Sequence, residues 1–244
     1  MGLRLDKALL LRGLVPTRSR ARDLIVRGAV RVGDAVEMKP GALVAEDAAI
    51  AVCEPSDYVS RGALKLAAAL TAFGFEARGR VALDVGASTG GFTEVLLHEG
   101  AGHVFAVDVG REQLHARLRA DPRVTSLEGS DVRDLSEQDI PRRVTAIVAD
   151  VSFISLEKAL PAALRFADPG AWLVALVKPQ FEAGPAAVGK GGIVRDGAVR
   201  AAQVDKIAAW IGGLGGWRVV GRMSSPIEGG SGNQEFLIGA VRDD

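Results

Sequence analysis

From about residue 61 onward the chain alternates short apolar runs with helix-like stretches. The apolar runs are Val81 to Val85, His103 to Val107, Val124 to Leu127, Ala146 to Ala149 and Ala171 to Val177. Before, between and after them lie helical patterns at Arg61 to Phe73, Phe92 to His98, Glu112 to Ala120, Leu156 to Ala167 and Val199 to Gly212. Trp217 to Gly221 and Phe236 to Val241 close the chain as strands. Strand and helix in regular alternation leave one architecture, an α/β fold with a mostly parallel, doubly wound sheet. Ligands of such sheets bind beyond the carboxyl ends of the strands. Three lone charges mark such ends. Asp150 closes the run 146–149, Lys178 closes 171–177, and Glu235 opens Phe236-Leu237-Ile238. A fourth charge, Lys65, lies in the helical stretch upstream of the first of these strands.

The N-terminal region is built differently. Its first 33 residues hold eight Arg or Lys against two Asp, although the whole chain balances 30 against 30. A basic piece on an acidic body points to nucleic acid at that end, with Arg4, Arg18, Arg20 and Arg22 as candidate phosphate contacts. Arg4 to Leu11 and Ser19 to Arg27 read as helices. Val30 to Val32 and Ala35 to Met38 read as a hairpin around Gly33-Asp34, and Ala48 to Cys53 as a further strand. Residues 1–55 therefore form a small α+β domain, 56–59 a linker, and 60–244 the body. A single cysteine, Cys53, excludes an intrachain disulfide and a cysteine-based zinc site. His98, His103 and His115 are scattered and suggest no metal. No apolar run reaches the roughly 18 to 20 residues needed to span a bilayer, and Met1 to Arg12 is too charged for a signal peptide. The expected location is the cytoplasm.

The first body strand runs into Asp84-Val85-Gly86-Ala87-Ser88-Thr89-Gly90-Gly91. Glycines here allow a sharp turn and close backbone approach to a ligand, with the amides of a helix behind. The spacing differs from G-x-G-x-x-G, which argues against NAD, and no Gly-Lys-Ser/Thr follows. Asp108, at the end of the second strand, is placed to accept hydrogen bonds from a ribose diol. Asp131, after the third, is placed to meet an adenine amino group. The candidate cofactor site is therefore Asp84, Gly86, Ala87, Ser88, Thr89, Gly90, Asp108, Asp131 and Asp150, and the expected cofactor is S-adenosyl-L-methionine.

Five ordered motifs, Ser60-Arg61-Gly62-Ala63-Leu64-Lys65-Leu66, the segment Asp84 to Thr93, Asp150-Val151-Ser152-Phe153-Ile154-Ser155-Leu156, Val177-Lys178-Pro179-Gln180-Phe181-Glu182 and Gly232-Asn233-Gln234-Glu235-Phe236, resemble the TlyA family of rRNA 2′-O-methyltransferases, sometimes labelled hemolysin A. The resemblance covers nearly the whole chain. It implies a Rossmann-like, FtsJ-type methyltransferase domain behind a ribosomal-protein-type RNA-binding module. It also implies a catalytic tetrad of Lys65, Asp150, Lys178 and Glu235, with cytidine in ribosomal RNA as substrate and the ribosomal subunit as partner. Ala63 stands where a second glycine is common. The chain stops soon after the Phe236 strand, which sets the expectation of large-subunit rather than small-subunit rRNA.

A ribose 2′-hydroxyl is a poor nucleophile until its proton is removed or its oxygen is aimed. A lysine can act as base only if its pKa falls, through burial or a nearby cation. Lys65 and Lys178 converging on one crevice supply such a like-charge effect, with Asp150 and Glu235 to hold them. Lys178 is favoured as base or hydroxyl orienter, with Lys65 as its electrostatic partner. Carbon-five cytosine methylation would need a cysteine in the body. Exocyclic-amine methylation usually shows Asn/Asp-Pro-Pro-Tyr/Phe where this chain has Asp150-Val151-Ser152-Phe153. Two other classes stand beside the enzyme: a membrane-active cytolysin, which lacks an amphipathic basic helix here, and a non-catalytic rRNA-binding assembly factor, against which the intact charge set argues.

Overall fold

A computed structural model describes residues 2–26, 28–33, 35–52, 58–184, 187–189, 191–229 and 232–243. Arg27, Asp34 of the expected hairpin turn, Cys53, and residues 54–57, which include the first two residues of the expected linker, lie outside them. The chain divides into two compact units, Met1–Arg61 and Gly62–Asp244.

In the first unit, α1 (Leu5–Leu11) and α2 (Arg18–Val26) pack on each other above a three-stranded antiparallel sheet. That sheet orders β3 (Ala35–Val36), β2 (Val30–Val32) and β5 (Ile50–Val52). Leu5, Ala8, Leu9, Ala21, Leu24, Ile25 and Val30 form the core, the apolar positions at helical spacing having turned inward. Arg4 was expected inside the first helix. It instead precedes the helix with extended backbone, because β1 (Leu3–Arg4) pairs antiparallel with β4 (Leu43–Val44). Strands of two residues are too short to show a period of two.

The second unit is a seven-stranded sheet in the order β11-β12-β10-β9-β6-β7-β8. Its strands are β6 (Val81–Val85), β7 (His103–Asp108), β8 (Val124–Glu128), β9 (Val144–Ala149), β10 (Ala167–Val177), β11 (Trp217–Ser224) and β12 (Phe236–Arg242). β6 to β10 run parallel, and β12 is antiparallel to both neighbours. Chain order reverses between β6 and β9, so the ends of those two strands flank the switch-point crevice. The helices are α3 (Gly62–Phe73), α4 (Gly91–His98), α5 (Ala116–Arg119), α6 (Leu156–Leu164), α7 (Pro179–Glu182) and α8 (Gly197–Gly213). Buried residues of α6 and α8 join those of the central strands in one core, among them Leu156, Leu160, Ile207 and Ile211 with Ile147, Leu173 and Ile238. α3 docks on β11 and β12 through Phe73. A Cβ on Gly239 would stand 2.6 Å from its ring and one on Gly221 3.0 Å. Those two glycines make the seat that fixes the helix carrying Lys65.

Two expected helices are shorter in the structure. Of Glu112 to Ala120 only Ala116–Arg119 is helical. The amides of Gln113 and Leu114, which would belong to the first turn, donate instead to Glu128 Oε1 at 2.6 and 2.9 Å. Leu156 to Ala167 ends at Leu164, because Ala167 joins the sheet opposite Val144.

Candidate active site

The loop after β6 is shaped by three residues with positive φ: Gly86 at +85°, Ser88 at +49° and Gly90 at +99°. Gly86 is required on two counts. Its backbone is left-handed, and a Cβ there would stand 2.5 Å from the carbonyl oxygen of Asp150. The loop is tied to β7 by the Gly86 and Ala87 amides, which donate to the Val107 carbonyl at 2.9 and 3.0 Å.

A cavity of about 450 Å³ opens beside this loop, within the range typical of small-molecule sites. Gly86, Ser88, Asp108, Asp131 and Asp150 line it. Asp108 is held by two backbone amides, Ser88 N to Oδ2 at 2.8 Å and Gly110 N to Oδ1 at 2.7 Å. Each oxygen keeps a lone pair for a further donor. Asp131 is gripped by Arg133, with Nη2 to Oδ2 at 2.6 Å, and that hydrogen-bonded guanidinium lowers its pKa below the usual carboxylate value. Ala87, Thr89 and Gly90 shape the loop from behind the wall. The Thr89 carbonyl accepts from the His115 amide at 3.2 Å, and Gly90 packs against Leu114 and Leu118. Gly110, Gln113, Ser130, Ser152 and Phe153 also line the cavity and were not singled out from sequence. Ser152 and Phe153 do sit inside the Asp150 motif. Gln113 gave no signal, since it belonged to a helix by periodicity.

Asp84 is fully buried beneath the loop and is hydrogen-bonded only through Oδ2, at 2.7 Å from Thr93 Oγ1; its Oδ1 has no partner. Burial, with smaller contributions from Asp150 and Asp108, pushes its pKa up to about 7, against which the Thr93 hydrogen bond acts. A raised carboxylate pKa means that the folded state binds a proton that the unfolded chain has released. The Asp84 contribution to stability is therefore full below the unfolded value near 4 and declines as pH rises toward 7. Asp84→Asn is expected to flatten the fall in melting temperature between pH 4 and pH 7. An unchanged slope in a pH series of thermal melts would remove Asp84 as its source.

The four tetrad positions form two ion pairs at one end of the sheet, Lys65–Glu235 buried and Lys178–Asp150 partly buried. Lys65 Nζ donates to Glu235 Oε2 at 2.5 Å. Lys178 Nζ lies 2.6 Å from Asp150 Oδ1 and donates to Ser152 Oγ at 2.8 Å. Val177 pairs with Phe236 across β10 and β12, so one step further along that antiparallel register sets Lys178 opposite Glu235. β9 lies beside β10, which brings Asp150 to the same end. Asp150 and Lys178 thus stand at the carboxyl ends of adjacent parallel strands, with Glu235 opposite Lys178 at the start of β12; spacing alone could not say which lysine pairs with which carboxylate.

In the first unit, three of the four candidate arginines converge on one carboxylate. Asp6 has no solvent exposure and holds Arg4 at 3.1 Å, Arg18 at 2.9 Å and Arg22 at 3.4 Å. Hydrogen bonds from Arg4, above all, lower its pKa to about 2. The three guanidinium side chains remain 41 to 58% exposed, so their outer edges face solvent. Arg20 donates its amide to Thr17 Oγ1 at 3.1 Å, in the first turn of α2.

The sheet order, with an antiparallel β12 inserted next to β10, is the fold of the Rossmann-type methyltransferases. Residues 58–242 match the FtsJ-like methyltransferase family and residues 3–50 the S4 domain. The chain is 48% identical over 237 residues to the 16S/23S rRNA (cytidine-2′-O)-methyltransferase TlyA of Mycobacterium tuberculosis, covering 96% of this chain and 88% of that one. It is 38% identical over 239 residues to Hemolysin A of Brachyspira hyodysenteriae, covering 96% of this chain and 98% of that one. A solved structure of a candidate hemolysin from Streptococcus thermophilus superposes with a TM-score of 0.75 at 39% identity, covering 100% of this chain and 89% of that one. The chain belongs to the TlyA family of FtsJ-like methyltransferases and carries an S4 domain ahead of its catalytic unit.

Proposed function

We propose that this protein transfers a methyl group from S-adenosylmethionine to the 2′-hydroxyl of a cytidine in ribosomal RNA, and that it acts on the large subunit in the cytoplasm. The observation that carries the reading is the placement of two lysine–carboxylate pairs, Lys65–Glu235 and Lys178–Asp150, at one end of the sheet beside an acidic cavity.

The cavity suits that cofactor. Asp108, Asp131 and Asp150 face a ligand with a ribose diol, an adenine amine and a cationic sulfonium. Gly86 leaves the room that a Cβ would fill. Bound there, S-adenosylmethionine supplies an electrophilic methyl group. The chain's own groups do the rest. Lys178, held by Asp150 and Ser152, donates a hydrogen bond that orients the 2′-oxygen, and takes up the hydroxyl proton after releasing one of its own to solvent. Lys65, fixed by Glu235, supplies positive charge beside the developing alkoxide. Positioning supplies most of the rate. A methyl group placed on ribose needs no cysteine nucleophile. The Arg4, Arg18 and Arg22 fan on Asp6, with Arg20, binds phosphates and gives affinity rather than base choice.

Among the described residues no helix is long and apolar enough to cross a membrane. The cytolysin reading has only the names of two relatives in its favour, and an assembly factor without catalysis leaves the two lysine–carboxylate pairs unexplained. The test is mass spectrometry of nuclease-digested rRNA from separated subunits incubated with the protein and S-adenosylmethionine. A ribose-methylated cytidine that resists alkaline cleavage is expected. A base-methylated product would overturn the chemistry, and methylation of both subunits would overturn only the choice of subunit. In the same system, Arg18→Ala with Arg20→Ala should weaken subunit binding and lower its salt slope by about 1 for each phosphate that is no longer neutralised. An unchanged slope returns these residues to a solvated face.

A further inference from the structure

Glu182 ends the Lys178 motif, yet it lies outside the cavity wall and the reaction described above makes no use of it. Its two oxygens have partners on the neighbouring loop. Ser155 Oγ donates to Oε2 at 2.6 Å, and the Leu156 amide donates to Oε1 at 2.9 Å. Leu156 is the first residue of α6, so this amide is one of the donors that a helix leaves without an internal partner. Ser155 is the N-cap, and its hydroxyl also accepts from Glu157 N at 3.2 Å. A carboxylate at this position also meets the positive end of the helix.

The bridge joins the two loops that carry the Lys178–Asp150 pair. Asp150, Ser152 and Phe153 lie on the segment between β9 and α6, and Glu182 lies four residues beyond Lys178. Phe153 holds φ at +64°, a conformation costly for a side chain of its size, and is 90% exposed. Such a residue keeps its place only when its surroundings over-determine it. Upstream of Phe153, Asp150 and Ser152 contact Lys178. Downstream, the anchor to the Lys178 loop is Glu182, with Phe181 beside Phe153 at 5.0 Å between ring centres.

We infer that Glu182 is a positioning residue: by bridging Ser155 and the Leu156 amide, it holds the 150–155 loop against Lys178 and so keeps Asp150 and Ser152 on its ammonium group. The inference rests on the methyltransferase reading of that site and adds a residue to it. Glu182→Ala removes both hydrogen bonds. Glu182→Gln keeps an acceptor for Leu156 N and a donor for Ser155 Oγ.

The experiment measures methyl transfer to large ribosomal subunits by the full chain, at saturating S-adenosylmethionine and over a range of subunit concentrations. Glu182→Ala is expected to lower kcat by about 10- to 100-fold, the scale of an ångström-sized misplacement, with KM for the subunit little changed. Glu182→Gln should restore kcat to near the parental value. If Glu182→Ala does not fold, Glu182→Asp, one methylene short of the bridge, takes its place under the same criteria. Hydrogen exchange of peptides covering residues 150–157 should be faster in the alanine variant and parental in the glutamine variant, a measurement that needs no activity. Parental kcat in the alanine variant, equal loss in both variants, or unchanged exchange overturns the inference. A parent protein that methylates no rRNA overturns the proposed substrate, while the exchange measurement still decides the role of Glu182.

Discussion

Replacing Lys178 by alanine is expected to cut methyl transfer by about 10³-fold, the scale of a missing proton-handling group, while S-adenosylmethionine still binds. The expectation of retained binding comes from placement. Asp150 lines the cavity, whereas Lys178 stands behind it, against Asp150 and Ser152. Removing the ammonium leaves Asp150 with its full negative charge facing the cavity. Affinity for a cationic cofactor should therefore hold or rise. The effect should fall on kcat, because the deleted group acts on the hydroxyl rather than on either substrate's affinity. Isothermal titration and single-turnover transfer on the same preparation separate the two quantities. Full transfer by the variant would remove Lys178 from the chemistry. Loss of binding together with transfer would make it a cofactor residue.

The second large effect is at Asp108. Asp108→Ala is expected to weaken S-adenosylmethionine about 100-fold. Two contributions add here. Hydrogen bonds to a charged carboxylate are worth about 1.5–3 kcal/mol each, and the ribose diol would lose its acceptor. The Ser88 and Gly110 amides would also lose the oxygens that hold the two sides of the cavity mouth. Ser88 keeps a left-handed backbone, so its loop depends on such anchors. Asp108→Asn, with one carbonyl acceptor, should lie between alanine and the parent. Titration showing parental affinity for Asp108→Ala would dismiss this cavity as the cofactor site.

The strand ends were legible because an apolar run that stops at a lone charge marks both an edge of the core and a group facing out of it. Asp150, Lys178 and Glu235 were found in that way, and the sheet's α/β class came from the alternation of the same runs. Lys65 was legible only through the motif that contains it, since its helix begins with residues that any buried helix could use. The pairing was not legible. Lys65 meets Glu235 because Phe73 seats α3 on the two glycines of β11 and β12, an arrangement set by tertiary packing. The shortened α5 has the same origin, since Glu128 takes two amides that periodicity assigned to a helix. Asp6 was counted as a charge against the N-terminal arginines, but the fold buries it as their common anchor. Sequence can count charges; which ones share a partner is decided by the path of the chain.

The Lys65–Glu235 pair spans 170 positions, and Glu235 reaches its place only when β12 zips onto β10 along six residue pairs. During synthesis the S4 unit, the cofactor loop and the Lys178–Asp150 pair all emerge earlier. Up to that moment Lys65 is without its carboxylate. A chain that stopped before residue 235 would lose the lysine's carboxylate and an interior strand together, leaving β11 without its neighbour in the sheet.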